Sequence, residues 1–151
     1  MASQVFDWIR QSAASYGSRN VYDDIERSVS FEEHERYSAS VATWVAQHSG
    51  IERPVAVMTG RCALTPACYM GVARAGCFYA PIDADVPRQR LEQIMSVAEP
   101  AIVIVDKDHL ETAEAVSSGC EIALMEDLLA YPADDGLVAA REAAVTESSP
   151  L

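Results

Sequence analysis

Pro100-Ala101-Ile102-Val103-Ile104-Val105 sets five apolar residues in a row behind a proline, with no polar residue to mark a wet face. A strand with one solvated face would alternate. An unbroken β-branched run reads instead as a central strand of a parallel sheet with helices on both faces. Working outward, the pattern repeats. Upstream, Pro54 opens the strand Val55-Ala56-Val57-Met58, and Cys77-Phe78-Tyr79-Ala80 is closed by Pro81. Between them, Thr65 and Pro66, the latter at the first helical position, start a helix that runs to Gly76. Cys68, Met70, Val72 and Ala75 make it apolar nearly all round, so it is expected to be buried. Pro87 begins another helix, with Leu91, Ile94, Met95 and Ala98 on one face. Downstream follow a helix over residues 109–116, a strand over Glu121–Leu124 and a short helix over residues 127–130. From Val55 on, strand and helix alternate, which demands an α/β fold: a mostly parallel sheet with covering helices.

The N-terminal third reads differently. Ser3 caps a first helix whose apolar face is Val5, Phe6, Ile9, Ala13 and Tyr16, and Gly17 stops it. Asn20–Asp23 and Ser28–Ser30 form a β-hairpin around the polar turn Asp24-Ile25-Glu26-Arg27. Ser30 and Glu33 have capping-box spacing and start a helix over Phe31–His48 with Tyr37, Val41, Trp44 and Val45 as its stripe, ended by Gly50. Residues 1–151 read as a single α/β unit, with 131–151 a weakly patterned acidic tail.

Charge excludes some functions. Eleven basic groups face 23 acidic ones, a net of −12. A chain this acidic is repelled by phosphate backbones and anionic lipid, so neither nucleic acid nor a membrane surface is an expected partner. The acidity is uneven: residues 1–99 carry a net of −3 and residues 100–151 a net of −9. Lys107 is the one lysine. The most apolar stretch, from Cys62 to Ile82, is broken by Pro66, Arg74 and Pro81, so it does not span a bilayer. The N-terminus lacks the basic flank and apolar run of a secretory signal. Cys62, Cys68, Cys77 and Cys120 form no Cys-x-x-Cys pair and read as reduced thiols of a cytoplasmic protein. His34, His48 and His109 are scattered, and none is spaced with a cysteine as a metal-ligand pair.

One segment carries a family likeness. Arg74-Ala75-Gly76-Cys77-Phe78-Tyr79-Ala80-Pro81-Ile82-Asp83, followed by Val86-Pro87-Arg88-Gln89-Arg90-Leu91, resembles the K-A-G-x-x-Y-x-P-[ILV]-D … P-x-x-R signature of adenylate-forming (AMP-binding) enzymes. Among these it is similar to amino-acid-activating domains of nonribosomal peptide synthetases and to D-alanine–carrier-protein ligases. Gly76, Tyr79, Pro81, Asp83, Pro87 and Arg90 match the signature, and Arg74 stands at its lysine position. Val29-Ser30-Phe31-Glu32-Glu33 resembles the family's L-[TS]-[YF]-x-E-L opening, with His34 in place of the leucine. Glu99-Pro100-Ala101-Ile102-Val103-Ile104 resembles the strand that comes next. The Gly60-Arg61 loop, the early proline of the following helix and Pro-Ile-Asp-Ala-Asp-Val-Pro lean slightly toward the D-alanine ligases.

The resemblance implies the N-terminal part of an ATP-dependent ligase that activates a carboxylic or amino acid. ATP and magnesium are its expected cofactors. The remainder of the ligase, in cis or as a separate chain, and a carrier protein are its expected partners. In this family the Gly-rich phosphate loop, the adenine and ribose sites and the catalytic lysine all come later. None is found in these residues: seven scattered glycines make no cradle for a triphosphate, and Lys107 has no matching context. No catalytic, cofactor-binding or metal-binding residue is therefore assigned, and residues 1–151 are expected to be inactive alone.

The signature residues read as structural. Tyr79 and Pro81 shape a strand end, and Asp83 caps the turn before the Pro87 helix. Arg88 and Arg90 cover the acidic surface near Glu92 and Glu99, and His34 is expected to be solvated in the first turn of its helix. Gly71 permits close helix packing. Asp106, Asp108 and Glu111 resemble a cation cluster but lack Gly-x-Asp loop spacing, and read as a polar helix entrance. The alternative is a self-standing acidic α/β binding or interaction module without catalysis, of flavodoxin-like or receiver type, with Asp83 and Asp106 at strand ends.

Overall fold

The computed structural model describes residues 2–150, with side chains from Val5 on. Helix α1 (Ala2–Tyr16) leads into the antiparallel hairpin β1 (Asn20–Asp23) and β2 (Ser28–Ser30). Helix α2 (Phe31–His48) follows. Then come β3 (Pro54–Met58), α3 (Thr65–Arg74), β4 (Phe78–Pro81), α4 (Arg88–Ala98) and β5 (Ile102–Val105). A 3-10 turn (Lys107–His109), α5 (Leu110–Val116), β6 (Glu121–Leu124), α6 (Met125–Leu129) and α7 (Asp135–Ala144) complete the chain.

β3 to β6 form one parallel sheet in the order β4-β3-β5-β6. The order explains the two unbroken apolar runs. β3 and β5 are the inner strands, and alternate side chains go to opposite layers. Val55, Val57, Ile102 and Ile104 pack with Val41, Val45, Cys68 and Val72 of α2 and α3. Ala56, Met58, Val103 and Val105 pack with Leu91, Met95 and Ala113 of α4 and α5. Val55, Ala56, Met58 and all four residues of β5 are fully buried, each large one contributing about 1.5–3 kcal/mol.

Local signals place the helix ends. Ser30 Oγ accepts from Glu33 N–H while Glu33 Oε2 accepts from Ser30 N–H, the reciprocal box that starts α2. α2 ends on extended Ser49, one residue before Gly50. α3 begins at Thr65 with Leu64 as its cap residue, so Pro66 is its second residue. The Thr65 hydroxyl donates to Gly60 O (2.8 Å) rather than capping the helix. Gly71 brings α2 and α3 together: a Cβ there would lie 2.5 Å from Val41 Cβ and 2.9 Å from Ser38 O. Gly76 adopts φ +76° directly after α3, where the chain reverses into β4.

Two expectations are corrected. The Ser3 side chain lies outside the described residues, but the inward face of α1 is narrower than periodicity suggests: Phe6 is buried and Ile9 and Ala13 half-buried, while Val5, Trp8 and Tyr16 are exposed. α1 lies mainly on α2 and α7, so one stripe of its described residues is covered. His34 is not solvated. It is 6% exposed, with its ring edge-on to Tyr22 of the hairpin (5.3 Å). The hairpin folds back over the first turn of α2, and the connection leading into it is tied there by Phe31 N–H to Arg19 O and Glu32 N–H to Gly17 O, a docking that the helix sequence by itself does not reveal.

Residues 132–150 show little periodicity, yet Asp135–Ala144 among them form α7. Asp134 caps it through Leu137 N–H. Among the described residues no helix is long and apolar enough to cross a membrane.

Candidate functional site

In an open parallel sheet, the crevice beyond the carboxyl ends of the strands forms where the strand order reverses. Here that point lies between β3 and β5, since β4 was added on one side of β3 and β5 on the other. The loop after β3 (residues 59–64) and the turn after β5 (residues 106–109) face each other across it. Asp106 joins them. Its Oδ2 accepts from Gly60 N–H at 2.7 Å, and its Oδ1 accepts from His109 N–H at 3.0 Å and lies 2.5 Å from His109 Nδ1. Asp106 is thus the cap of the 3-10 turn, the helix-entrance role expected of it. Its partner is His109, and neither Asp108 nor Glu111 joins it. The Asp-x-x-His spacing that pairs them is present in the sequence as Asp106-Lys107-Asp108-His109.

The hairpin also reaches this crevice. Asp24 accepts from Ala63 N–H (2.6 Å) in the loop after β3, and from Glu26 and Arg27 N–H within its own turn. Ala63 N–H foremost, then those two amides, hold the Asp24 carboxyl below its ordinary range. The consequence is chemical. The first strand-to-helix loop is where doubly wound sheets offer backbone donors to phosphate. In this chain two of those donors, Gly60 N–H and Ala63 N–H, are taken by carboxylates. As the loop stands, neither of these two amides is open to a phosphate oxygen.

The signature residues follow the chain past this end of the sheet. Thr59, Gly60, Arg61, Tyr69, Pro81 and Asp83 line one crevice of about 510 Å³ together with His109. Tyr79 stacks on Tyr69 with ring centroids 4.8 Å apart. Burial raises the Tyr69 hydroxyl above its ordinary pKa. Asp83 Oδ1 accepts from Asp85 N–H (3.0 Å), closing the turn before α4. Pro87 is the cap residue of α4, and the Arg90 amide donates to Pro87 O (2.8 Å). Gly76 sits at the opposite end of β4, with its carbonyl accepting from Glu52 N–H (2.6 Å). The structure therefore brings Pro81 and Asp83 to the crevice and leaves Gly76, Pro87 and Arg90 away from its lining. Arg88 pairs with Glu92 (2.8 Å) on the surface of α4. Arg74, at the signature's lysine position, is buried and donates to Glu142, Glu35 and Ser38. Among the described residues no group of three or more His, Cys, Asp or Glu side chains is placed to hold a metal ion. The four cysteines are free thiols, and burial pushes Cys68 and Cys120 above the usual thiol range.

Comparison with known proteins agrees with this architecture. The AMP-binding enzyme family matches residues 9–148. The nonribosomal peptide synthetase kk1B of Curvularia clavata is 26% identical over 149 residues, 98% of this chain and 1% of that protein. The nonribosomal peptide synthetase penN of Penicillium thymicola is 32% identical over 94 residues, 61% of this chain and 3% of that protein. The chain thus spans a few hundredths of the length of these relatives.

Solved structures share the fold. A benzoate CoA ligase from Burkholderia xenovorans LB400 superposes with a TM-score of 0.75 at 12% identity, over 85% of this chain and 28% of that one. VinN in complex with 3-methylaspartate gives 0.74 at 17% identity, over 97% and 40%. The AMPPNP-bound nonribosomal peptide synthetase FmoA3 gives 0.75 at 17% identity, over 82% and 13%. At such identities the likeness is one of fold. The match over residues 9–148 goes further, and by it this chain belongs to the AMP-binding enzyme family.

Proposed function

We propose that residues 1–151 are the N-terminal scaffold of an ATP-dependent ligase that activates an amino acid or another carboxylic acid as its adenylate, and that they do not perform this step alone. The observation that carries the reading is the loop after β3, whose Gly60 and Ala63 amides are spent on Asp106 and Asp24. Adenylation is an in-line displacement at the α-phosphate, and it needs positive charge and oriented donors on the phosphates. The crevice offers Arg61 and His109, but also Asp83 and Asp85, within a chain of net charge −12. These residues do not fit a triphosphate, and no step of the displacement is assigned to them.

ATP and magnesium belong, on this reading, to the complete enzyme. Its partners are the remainder of the ligase, in cis or as a separate chain, and a carrier protein that receives the activated acid. The cytoplasm is its compartment. The motif residues Gly76, Tyr79, Pro81, Asp83, Pro87 and Arg90 then serve structure: they turn the chain into β4, end it and start α4. The self-standing binding module draws support from the sheet order, which flavodoxin-like folds share. The occupied amides of the first loop count against it.

ATP–pyrophosphate exchange tests the proposal. The chain alone should give background exchange. Mixing with a polypeptide that carries the Gly-rich loop and the catalytic lysine should raise it. Exchange by the chain alone, or background exchange in a mixture whose two parts bind each other, contradicts the reading.

A further inference from the structure

α7 holds to the rest of the molecule mainly through polar atoms. Of its ten residues only Val138 and Glu142 are buried. The Arg141 guanidinium donates to Ala46 O (2.5 Å) and Ser49 O (2.9 Å) at the end of α2, and to Ala75 O (3.5 Å) at the end of α3. Glu142 accepts from Arg74 of α3 and from Arg10 of α1. Asp134 N–H donates to Thr43 Oγ1 (2.9 Å) on α2. The segments on either side, residues 132–134 and 146–148, are exposed.

The two arginines that meet Glu142 keep other partners without α7. Without it, Arg74 keeps the Glu35 carboxylate (3.1 Å), the Ser38 hydroxyl (2.8 Å) and the Glu35 carbonyl (3.2 Å). Arg10 keeps Asp7 (3.2 Å). Both faces of the sheet keep their helices, and the apolar contact that α7 removes is the buried Val138 and the half-buried Leu137. Segments with few buried apolar contacts open at lower free energy than the core they rest on.

We propose that α7 is a detachable strap, releasing from α1, α2 and α3 as a unit while the parallel sheet stays folded. Release uncovers Arg74 and the terminal carbonyls of α2 and α3. The inference is independent of the ligase reading, since it rests on the contacts of α7 alone.

Native-state hydrogen exchange of the purified chain across a series of low denaturant concentrations tests it. Amides of α7 should exchange at least about tenfold faster than those of β3 and β5, with a weak denaturant dependence that marks a small opening. In the double variant Arg141→Ala, Glu142→Gln, α7 should lose its protection while β3 and β5 keep theirs. The proposal is overturned if α7 and the central strands of the unaltered chain share one rate and one denaturant dependence. It is equally overturned if the double variant loses protection in β3 and β5 together with α7.

Discussion

Arg74 Nε donates to Glu142 Oε1 across 2.7 Å, and the arginine is 3% exposed. The pair joins α3, which carries the start of the signature, to α7, which the sequence leaves almost unmarked. Arg74 also reaches Glu35 and Ser38 on α2, so one planar guanidinium serves three helices.

Arg74→Lys restores the residue that the signature favours, yet it is not conservative in this setting. An ammonium cannot reproduce the fork that meets Glu142, Glu35 and Ser38 together. The variant should be destabilised by about 1–3 kcal/mol, read as a lower denaturant midpoint at unchanged slope. A midpoint equal to that of the parent would show that the fork contributes nothing.

His34 gives the molecule a pH dependence of definite sign. Burial, and secondarily the Arg74 charge, lower its pKa from 6.5 to about 4. Above pH 6.5 the imidazole is neutral in both folded and unfolded chains. Between pH 6.5 and 4 the unfolded chain takes up the proton and the folded chain does not. Stability is therefore full above pH 6.5 and falls as the pH drops toward 4, by about 1.4 kcal/mol per unit at most and about 3 kcal/mol in all. His34→Leu should flatten that part of the stability curve. Parallel curves for the two proteins would contradict the assignment.

Gly71→Ala should be destabilising by about 1–3 kcal/mol, because the added methyl meets Val41 and the Ser38 carbonyl with no room to relax. Gly50→Ala is the control, since nothing lies within 4 Å of its would-be Cβ. Thermal unfolding of both should separate them. Equal melting temperatures would mean that α2 and α3 are not held at the spacing described.

Asp106→Ala removes the acceptor that ties the loop after β3 to the turn after β5. Losing charge-assisted bonds to Gly60 N–H and His109 should cost about 2–3 kcal/mol, and limited proteolysis should begin near residues 59–64. Unchanged cleavage sites would show the two loops to be held by something else.

Much of this architecture was legible because local chemistry and tertiary packing agree. Unbroken apolar runs gave β3 and β5, the Ser30–Glu33 box gave the start of α2, and Pro54, Pro81, Pro87 and Pro100 punctuated the rest. β4 lies one residue later than its apolar run suggests, over Phe78–Pro81, because pairing with β3 carries it to Pro81 opposite Val57. Features that depend on distant segments were not legible. His34 is buried by a hairpin that periodicity cannot dock, and α7 is held by Arg10, Arg74 and backbone carbonyls beside a short apolar contact at Leu137 and Val138. At the crevice, Asp83 and Asp106 were visible as residues. The use of Asp106 and Asp24 to occupy the amides of one loop emerges only when three separate turns are brought together.

The central claim is that this scaffold has no grip on a triphosphate. Titration calorimetry of the purified 151-residue chain with ATP and magnesium tests it most directly. The account predicts no saturable heat up to about 1 mM nucleotide, that is, binding weaker than about −4 kcal/mol. A micromolar dissociation constant, abolished by substitutions in the loop after β3, would contradict it.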